Sequence, residues 1–349
     1  MKILFLTQHW AGNTHHSNYS GYQQIVYYAA KEHDCTIVTW GKENIIKHEN
    51  GIEVHYVKPF MQRDYFFVKR LTISNYAKKM EPRFDVVHTL YSDCGYFQRH
   101  SNFFSTFHIS PFVGIKIGFL SKLFLFLKFY IIEKSVFARS KKIIIVSTNL
   151  TKGLKKFKNK LVYIPHGINT DFWNPFDLNS AEKQECTLPY VLIVGNNGVD
   201  KKLLFSAIKE NSDITFVLVG LRNFKCKLNN CKQLFNLSDI ELKQLYKHCS
   251  VCIRPMNFAT ANNSILEALS MGKPVIISIP DGKYEYFGNF NEEIQVVKSI
   301  DFLNTLSFYL KKPDKPQGII IPEVRNYALI NFDWKTIWAR TFEIYEAKA

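Results

Sequence analysis

Short apolar runs rich in Ile, Val and Phe alternate along the chain with segments of helical length. KILFLTQ is followed by SGYQQIVYYAAKEH and CTIVTW, and further on come FDVVHTL, NFFSTFH and KKIIIVST. Near-continuous apolar strands spaced by helices predict βαβ units and a parallel sheet covered on both faces. After LVYIPHG the rhythm stops: residues 169–189 are polar, contain proline and hold few periodic apolar positions, which predicts a linker. It restarts with YVLIVG and continues through DITFVLVG, CKQLFNL, SVCIRP and PVIISIP, with KKLLFSAIKE and DIELKQLYKHC as helices between. At 349 residues the chain exceeds one ordinary core and suits two. The expected domains are 1–168 and 190–330, each a doubly wound α/β sheet. The last segment, NFDWKTIWARTFEIYEAKA, reads as an amphipathic helix with Trp334, Ile337, Trp338 and Phe342 on one side.

Composition narrows the class. Hydrophobic residues at 46% and charged residues at 21% exclude a disordered or collagen-like chain. The opening MKILFLTQHWAG lacks the apolar length of a signal peptide and reads as a buried strand, so a cytoplasmic protein is expected. Seven cysteines, an odd number, argue for reduced thiols. Cys226, Cys231, Cys249 and Cys252 include a C-x-x-C spacing that suits zinc, but buried small residues account for them without a metal.

The net charge of +15 is uneven: from Val113 to Lys160 twelve Lys or Arg face one acid, Glu133. No RNA-recognition or helix-turn-helix signature accompanies the run, so an anionic membrane surface is the expected partner and nucleic acid is not. The segment 112–132 is long enough to span a bilayer, yet Lys116, Lys122 and Lys128 would each cost roughly 2.5 kcal/mol or more at mid-membrane. Two readings remain for it, an interfacial anchor or a partly buried helix with snorkelling lysines.

The chemistry is expected at the carboxyl ends of the strands, where loops lead into helices. No G-x-x-x-x-G-K-[ST], full G-x-G-x-x-G, H-E-x-x-H or D-x-D is present, which removes support from simple NTPase, dehydrogenase and metal-dependent readings. The stretch ATANNSILEALSMGKPVII is the most informative. Asn262, Asn263 and Ser264 suit a helix N-cap, Ile265, Leu266 and Leu269 give an apolar stripe, and Gly272 suits the C′ position before the strand opened by Pro274. Such a helix N-terminus favours a diphosphate, and Glu267, one turn in, can accept hydrogen bonds from ribose hydroxyls.

VLIVGNN…DKK, ILEALSMGKPVI and VYIPHGINTDFW, in their places around the linker, resemble the retaining glycosyltransferases of family 4, which have the GT-B fold. The resemblance runs from the first strand to the returning C-terminal helix. It implies two Rossmann-like domains facing a central cleft: an acceptor domain, 1–168 with 331–349 returning to it, and a donor domain, 190–330. It implies transfer of a sugar from a nucleoside diphosphate to an acceptor hydroxyl, with retention and without a metal or other cofactor.

Carried over by position, the resemblance puts Lys201 on the lysine that holds the donor diphosphate. Asn196 stands where a partner arginine is expected, with Lys202 or Arg222 as substitutes. Its two-glutamate motif ends at Glu267 and begins at Ala259, so the glutamate expected beside the donor sugar is missing. Backbone amides of Asn262–Ser264 remain to bind sugar or phosphate, and the loop 234–236 is expected at the base. Gly21 matches a loop glycine that approaches the phosphate, and His108 a histidine near the reacting sugar. His9, His15 and His16, with Tyr19 and Tyr22, line an expected acceptor pocket; no acid accompanies these histidines, which argues against a metal. His166-Gly167 positions the second domain. The basic first domain suits a saccharide or lipid-linked acceptor in surface-polysaccharide or glycolipid assembly, with the protein peripheral on the cytoplasmic membrane face. The alternatives are a catalytically inactive partner of the same fold and a nucleotide-sugar epimerase.

Overall fold

The computed structural model describes all residues except 11–20, 62–66, 112–118, 178–189, 196–197, 259–261, 282–283, 285, 288–292, 312–317 and 348–349. The chain divides into two compact units, and it passes between them at Gly167–Ile168 and at Asp333–Trp334.

The first unit is built on β1 (Lys2–Leu6), α1 (Gln24–Ala29), β2 (Asp34–Trp40), β3 (Ile45–Glu49), β4 (Ile52–Val57), α2 (Val68–Lys78), β5 (Val86–Thr89), β6 (Phe103–Phe107), α3 (Phe119–Lys128), α4 (Lys134–Arg139), β7 (Lys142–Ile145) and β8 (Leu161–Tyr163). The strands form one sheet in the order β3-β4-β2-β1-β5-β6-β7-β8, parallel except for β3. Ile3–Leu6 and Phe103–Phe107 are buried throughout, as a central parallel strand covered on both faces requires. β3 is an exposed antiparallel edge, joined to β4 through Asn50 and Gly51, both at positive φ, a conformation suited to Asn-Gly.

The second unit contains β9 (Tyr190–Val194), α5 (Lys201–Glu210), β10 (Thr215–Val219), β11 (Cys231–Leu234), α6 (Asp239–His248), β12 (Val251–Pro255), α7 (Asn263–Ser270), β13 (Val275–Ile279), β14 (Ile294–Lys298), α8 (Phe302–Leu310) and α9 (Pro322–Phe332). Its sheet is wholly parallel, in the order β11-β10-β9-β12-β13-β14. The last helix, α10 (Trp334–Glu346), belongs to the first unit. Trp334, Ile337, Trp338, Thr341 and Tyr345 are its buried stripe, and Phe342 flanks it, stacked 4.6 Å from His33.

Two expectations are corrected. The linker does not begin at residue 169: Trp173 is fully buried in the core of the second unit, and its carbonyl accepts hydrogen bonds from Ser270 at 2.8 Å and Arg325 at 3.0 Å. A tryptophan with that much apolar surface anchors its segment. Nor does Lys128 snorkel. It is largely covered, though not fully buried, at the end of α3, 3.0 Å from Glu133 and 3.4 Å from Asp93, which also pairs with Arg70 at 2.8 Å. A π-helical turn, Phe129–Glu133, joins α3 to α4. Lys122 is exposed, as are Leu123, Phe124, Leu127, Tyr130 and Ile131 on the same helical run, while Lys116 lies outside the described residues. Among the described residues no helix is long and apolar enough to cross a membrane.

Candidate active site

Each sheet has one place where its strand order reverses, between β1 and β5 in the first unit and between β9 and β12 in the second. Loops diverge there at the carboxyl ends, leaving a crevice suited to a ligand. Of the described residues singled out from sequence, Lys201, Lys202, Asn262, Asn263, Ser264 and Glu267 follow β9 or β12, and His9, Gly21 and Tyr22 follow β1, whereas His108 follows β6 and Arg222 follows β10.

In the second unit β9 ends at Val194 and the chain turns at Gly195, with φ +82°. Asn196 lies outside the described residues. Asp200 caps α5, its carboxylate accepting from the backbone amides of Lys202 and Leu203 at 3.1 Å. That cap places Lys201 at the first helical position, where its exposed Nζ donates to the Asn223 carbonyl at 2.9 Å. Lys202 is exposed beside it. Arg222, in the loop after β10, donates to Oδ1 of Asn236 at 2.5 Å, and Asn236 is itself left-handed at φ +57°.

From the neighbouring β12 the chain enters α7. Asn262 is the N-cap by backbone conformation, but its side chain takes no main-chain amide; Oδ1 instead accepts from the Ser264 hydroxyl at 2.6 Å. The caps of α5 and α6 do engage their helices, Ser238 through a full capping box with Glu241. Ala259 lies outside the described residues. Glu267 is buried one turn into α7, and the Tyr246 hydroxyl stands 2.9 Å from its Oε2. Gly272 closes the helix at φ +67°, as its position requires.

Sequence reasoning missed Tyr246 and Arg254. Arg254 is buried within β12, and its Nη1 donates to the carbonyls of Val194 and Gly195, the latter at 2.7 Å. A charge inside the apolar run SVCIRP is the signal that marks it, since arginine is rarely buried without a purpose.

In the first unit the loops after β1, β5, β6 and β8 bring together His9, Tyr91, His108 and His166, with Tyr22 before α1 and Trp334 at the start of α10. His108 stacks on Tyr91 at 4.7 Å and meets the edge of Tyr22 at 4.8 Å, and His9 stands on Tyr91 at 5.0 Å. Tyr22 in turn packs on His166 and Trp334 at 5.3 and 5.4 Å. Burial pushes Tyr22 up to about 12 and His108 down to about 3, with His166 adding to the depression of His108. The His108 imidazole is therefore neutral at ordinary pH. Its Nε2 is 2.9 Å from the Leu90 carbonyl, which can only accept, so Nε2 carries the proton and Nδ1 the lone pair. A Cβ at Gly21 would meet only the Gln23 side chain at 3.5 Å, an ordinary contact, so local packing does not demand glycine there. His15, His16 and Tyr19 lie outside the described residues.

The four cysteines do not form one cluster. Sγ of Cys249 and Cys252 lie 3.5 Å apart in the core, and among the described residues no group of three or more His, Cys, Asp or Glu is arranged to hold a metal ion.

Residues 22–172 match the family described as Glycosyltransferase Family 4, and residues 190–295 that described as Glycosyl transferases group 1. No curated protein sequence matches the chain. Among solved structures, sucrose-phosphate synthase from Thermosynechococcus elongatus superposes with a TM-score of 0.71 at 15% identity, over 99% of this chain and 98% of that one. Anabaena HepE, solved in complex with UDP and glucose, gives 0.68 at 14% identity over 100% of both chains. WaaG, a glycosyltransferase involved in lipopolysaccharide biosynthesis, gives 0.64 at 12% identity, over 99% of this chain and 100% of that one. At such identities these likenesses concern the fold, two parallel-sheet α/β units of the GT-B type.

Proposed function

From the premise that this chain belongs to the glycosyltransferases of family 4 and group 1, we propose that it moves a sugar from a nucleoside-diphosphate sugar to an acceptor hydroxyl, retaining the anomeric configuration. The observation that carries this reading is the reversal of strand order between β9 and β12. There Lys201, at the start of α5, and the N-terminus of α7, with Glu267 one turn in, stand at the carboxyl ends of adjacent strands. In this reading Lys201 and the α7 amides meet the negative charge that grows on the leaving diphosphate, and Glu267 accepts from the ribose. Lys202 or Arg222 adds a second cation. No metal or other cofactor is called for.

In the first unit, Gly21 lets main chain approach the phosphate, in keeping with the room found at its Cα. The neutral His108, with its lone pair at Nδ1, accepts a hydrogen bond from a sugar hydroxyl. His9 and Tyr22 belong to the acceptor side, along with His15, His16 and Tyr19. Anabaena HepE, solved with UDP and glucose, and WaaG, involved in lipopolysaccharide biosynthesis, support a nucleotide donor and a lipid-linked acceptor.

The exposed Leu123, Phe124, Leu127, Tyr130 and Ile131 support peripheral docking on the cytoplasmic face of an anionic membrane, with Lys122 and Lys134 beside them. Sedimentation with liposomes tests it: binding that rises with anionic lipid and falls in Leu127→Glu supports it, and indifference to anionic lipid removes it.

Thermal unfolding with UDP, GDP, ADP, CMP and their sugar conjugates tests the donor site. At one hundred times the dissociation constant a ligand adds about 2.7 kcal/mol. A shift with one nucleotide, lost in Lys201→Ala and Glu267→Gln, is expected, and product analysis by NMR then reads the anomer. Absence of any shift would favour a non-catalytic partner, and turnover without acceptor an epimerase.

A further inference from the structure

Every residue of β12, Val251 to Pro255, is buried, and the strand lies between β9 and β13. A guanidinium there is costly unless its charge and its hydrogen bonds are both used. The main chain uses part of it: Nη1 donates to the carbonyls of Val194 and Gly195, where β9 ends. The contact is close, since a Cβ on Gly195 would stand 3.6 Å from Nη1 and 3.7 Å from Nη2. Gly195, at φ +82°, is the turn from which the loop to α5 departs. Those carbonyl oxygens take up the Nη1 hydrogen bonds without neutralising the charge, and burial lowers Arg254 only to about 10, so it stays a cation at neutral pH. The Glu267 carboxylate acts on it favourably from α7, but is itself hydrogen-bonded by Tyr246. A fixed positive charge thus lies under the place where strand order reverses.

We infer that Arg254 is a positioning residue of the donor site, fixing the Val194–Gly195 turn and adding positive charge beneath a bound nucleoside diphosphate. This rests on the donor-site reading above and deepens it: the charge acts on the diphosphate and leaves the nucleoside alone. Arg254 touches main chain, so its effect reaches the ligand through the turn and through the field.

Titration calorimetry on the full chain, with UDP, GDP and ADP each compared with its nucleoside, tests the inference. In Arg254→Gln, affinity for whichever diphosphate the wild type binds is expected to fall roughly tenfold or more, as for a unit charge withdrawn several ångströms away in a partly screened site. Affinity for the matching nucleoside is expected to hold, and Arg254→Lys to recover most of the loss. Parallel loss of both ligands, or undiminished diphosphate binding in Arg254→Gln, would overturn the inference while leaving the donor site intact. Should Arg254→Gln not fold, Arg254→Lys decides: a folded lysine variant that no longer prefers diphosphate over nucleoside overturns it. Wild-type protein that binds none of the three diphosphates overturns both readings.

Discussion

The hydroxyl of Tyr246, on α6, stands 2.9 Å from Oε2 of Glu267, on α7, and both side chains are buried. Burial first, and the Glu267 carboxylate with other neighbouring groups after it, push the phenol well above its ordinary value. The hydroxyl therefore stays protonated, and its one O–H hydrogen bond is shared between the Glu267 carboxylate at 2.9 Å and the Ser264 carbonyl at 3.0 Å. Tyr246→Phe leaves a buried carboxylate short of a donor and is expected to cost about 1.5–3 kcal/mol, read as a lower urea midpoint. Nucleotide affinity should fall with it, because Glu267 loses the contact that aims it. A variant as stable as wild type would mean that the bond contributes nothing.

A second expected outcome concerns Lys128, which lies between Glu133 at 3.0 Å and Asp93 at 3.4 Å. Its removal takes the cation from the buried Glu133 and leaves Asp93 with Arg70. Lys128→Met is expected to destabilise the first unit by about 3–5 kcal/mol, and Lys128→Met with Glu133→Gln to recover part of that loss. Additive losses in the double variant would show that the pair is not coupled.

The strands were legible because parallel strands covered on both faces read as apolar runs, and YVLIV and PVIISIP are such runs. α5 and α6 were legible to their ends because Asp200 and Ser238 cap them. β3 escaped, since Ile45–Glu49 is an exposed edge without an alternating pattern; its signal was Asn50-Gly51. Lys128 was misread because its partner Asp93 is far away in sequence, and spacing on one helix says nothing about a charge brought from another element. Lys201 and Glu267 could be singled out by position along the chain. Arg254 could not be given a role, because what it holds becomes visible only when β12 is placed next to β9.

Gly167 packs against Trp334 so closely that a Cβ would stand 2.5 Å from two ring atoms. The indole is fully buried at the start of α10 and also touches His166 at 5.2 Å. Gly167→Ala is therefore expected to cost about 1–3 kcal/mol through overpacking. Trp334→Phe in the same chain should relieve part of the strain, so that the double variant is less destabilised than the sum of its parts. Full additivity in thermal unfolding would contradict the contact.

The buried histidines make stability depend on pH in a defined direction. Burial first, with His108 second, lowers His88 to about 3, and burial lowers His166 to about 4. His88 is held between the Tyr345 hydroxyl at 2.5 Å and Thr106 at 2.8 Å, so it is locked in place as a neutral ring. An unfolded histidine takes up its proton near pH ~6.5, whereas the folded one does so only near its depressed value. Between these values the unfolded chain binds more protons, so stability rises with pH; the contribution is complete above the unfolded value and is lost as pH falls toward the folded one. For His88 alone the gain between about pH 5 and about pH 7 is roughly 2 kcal/mol. Urea unfolding of wild type and His88→Gln at those two pH values should show the variant gaining less by about that amount. Equal pH dependence of the two proteins would mean that His88 titrates in the folded chain as it does in water, which its burial does not allow.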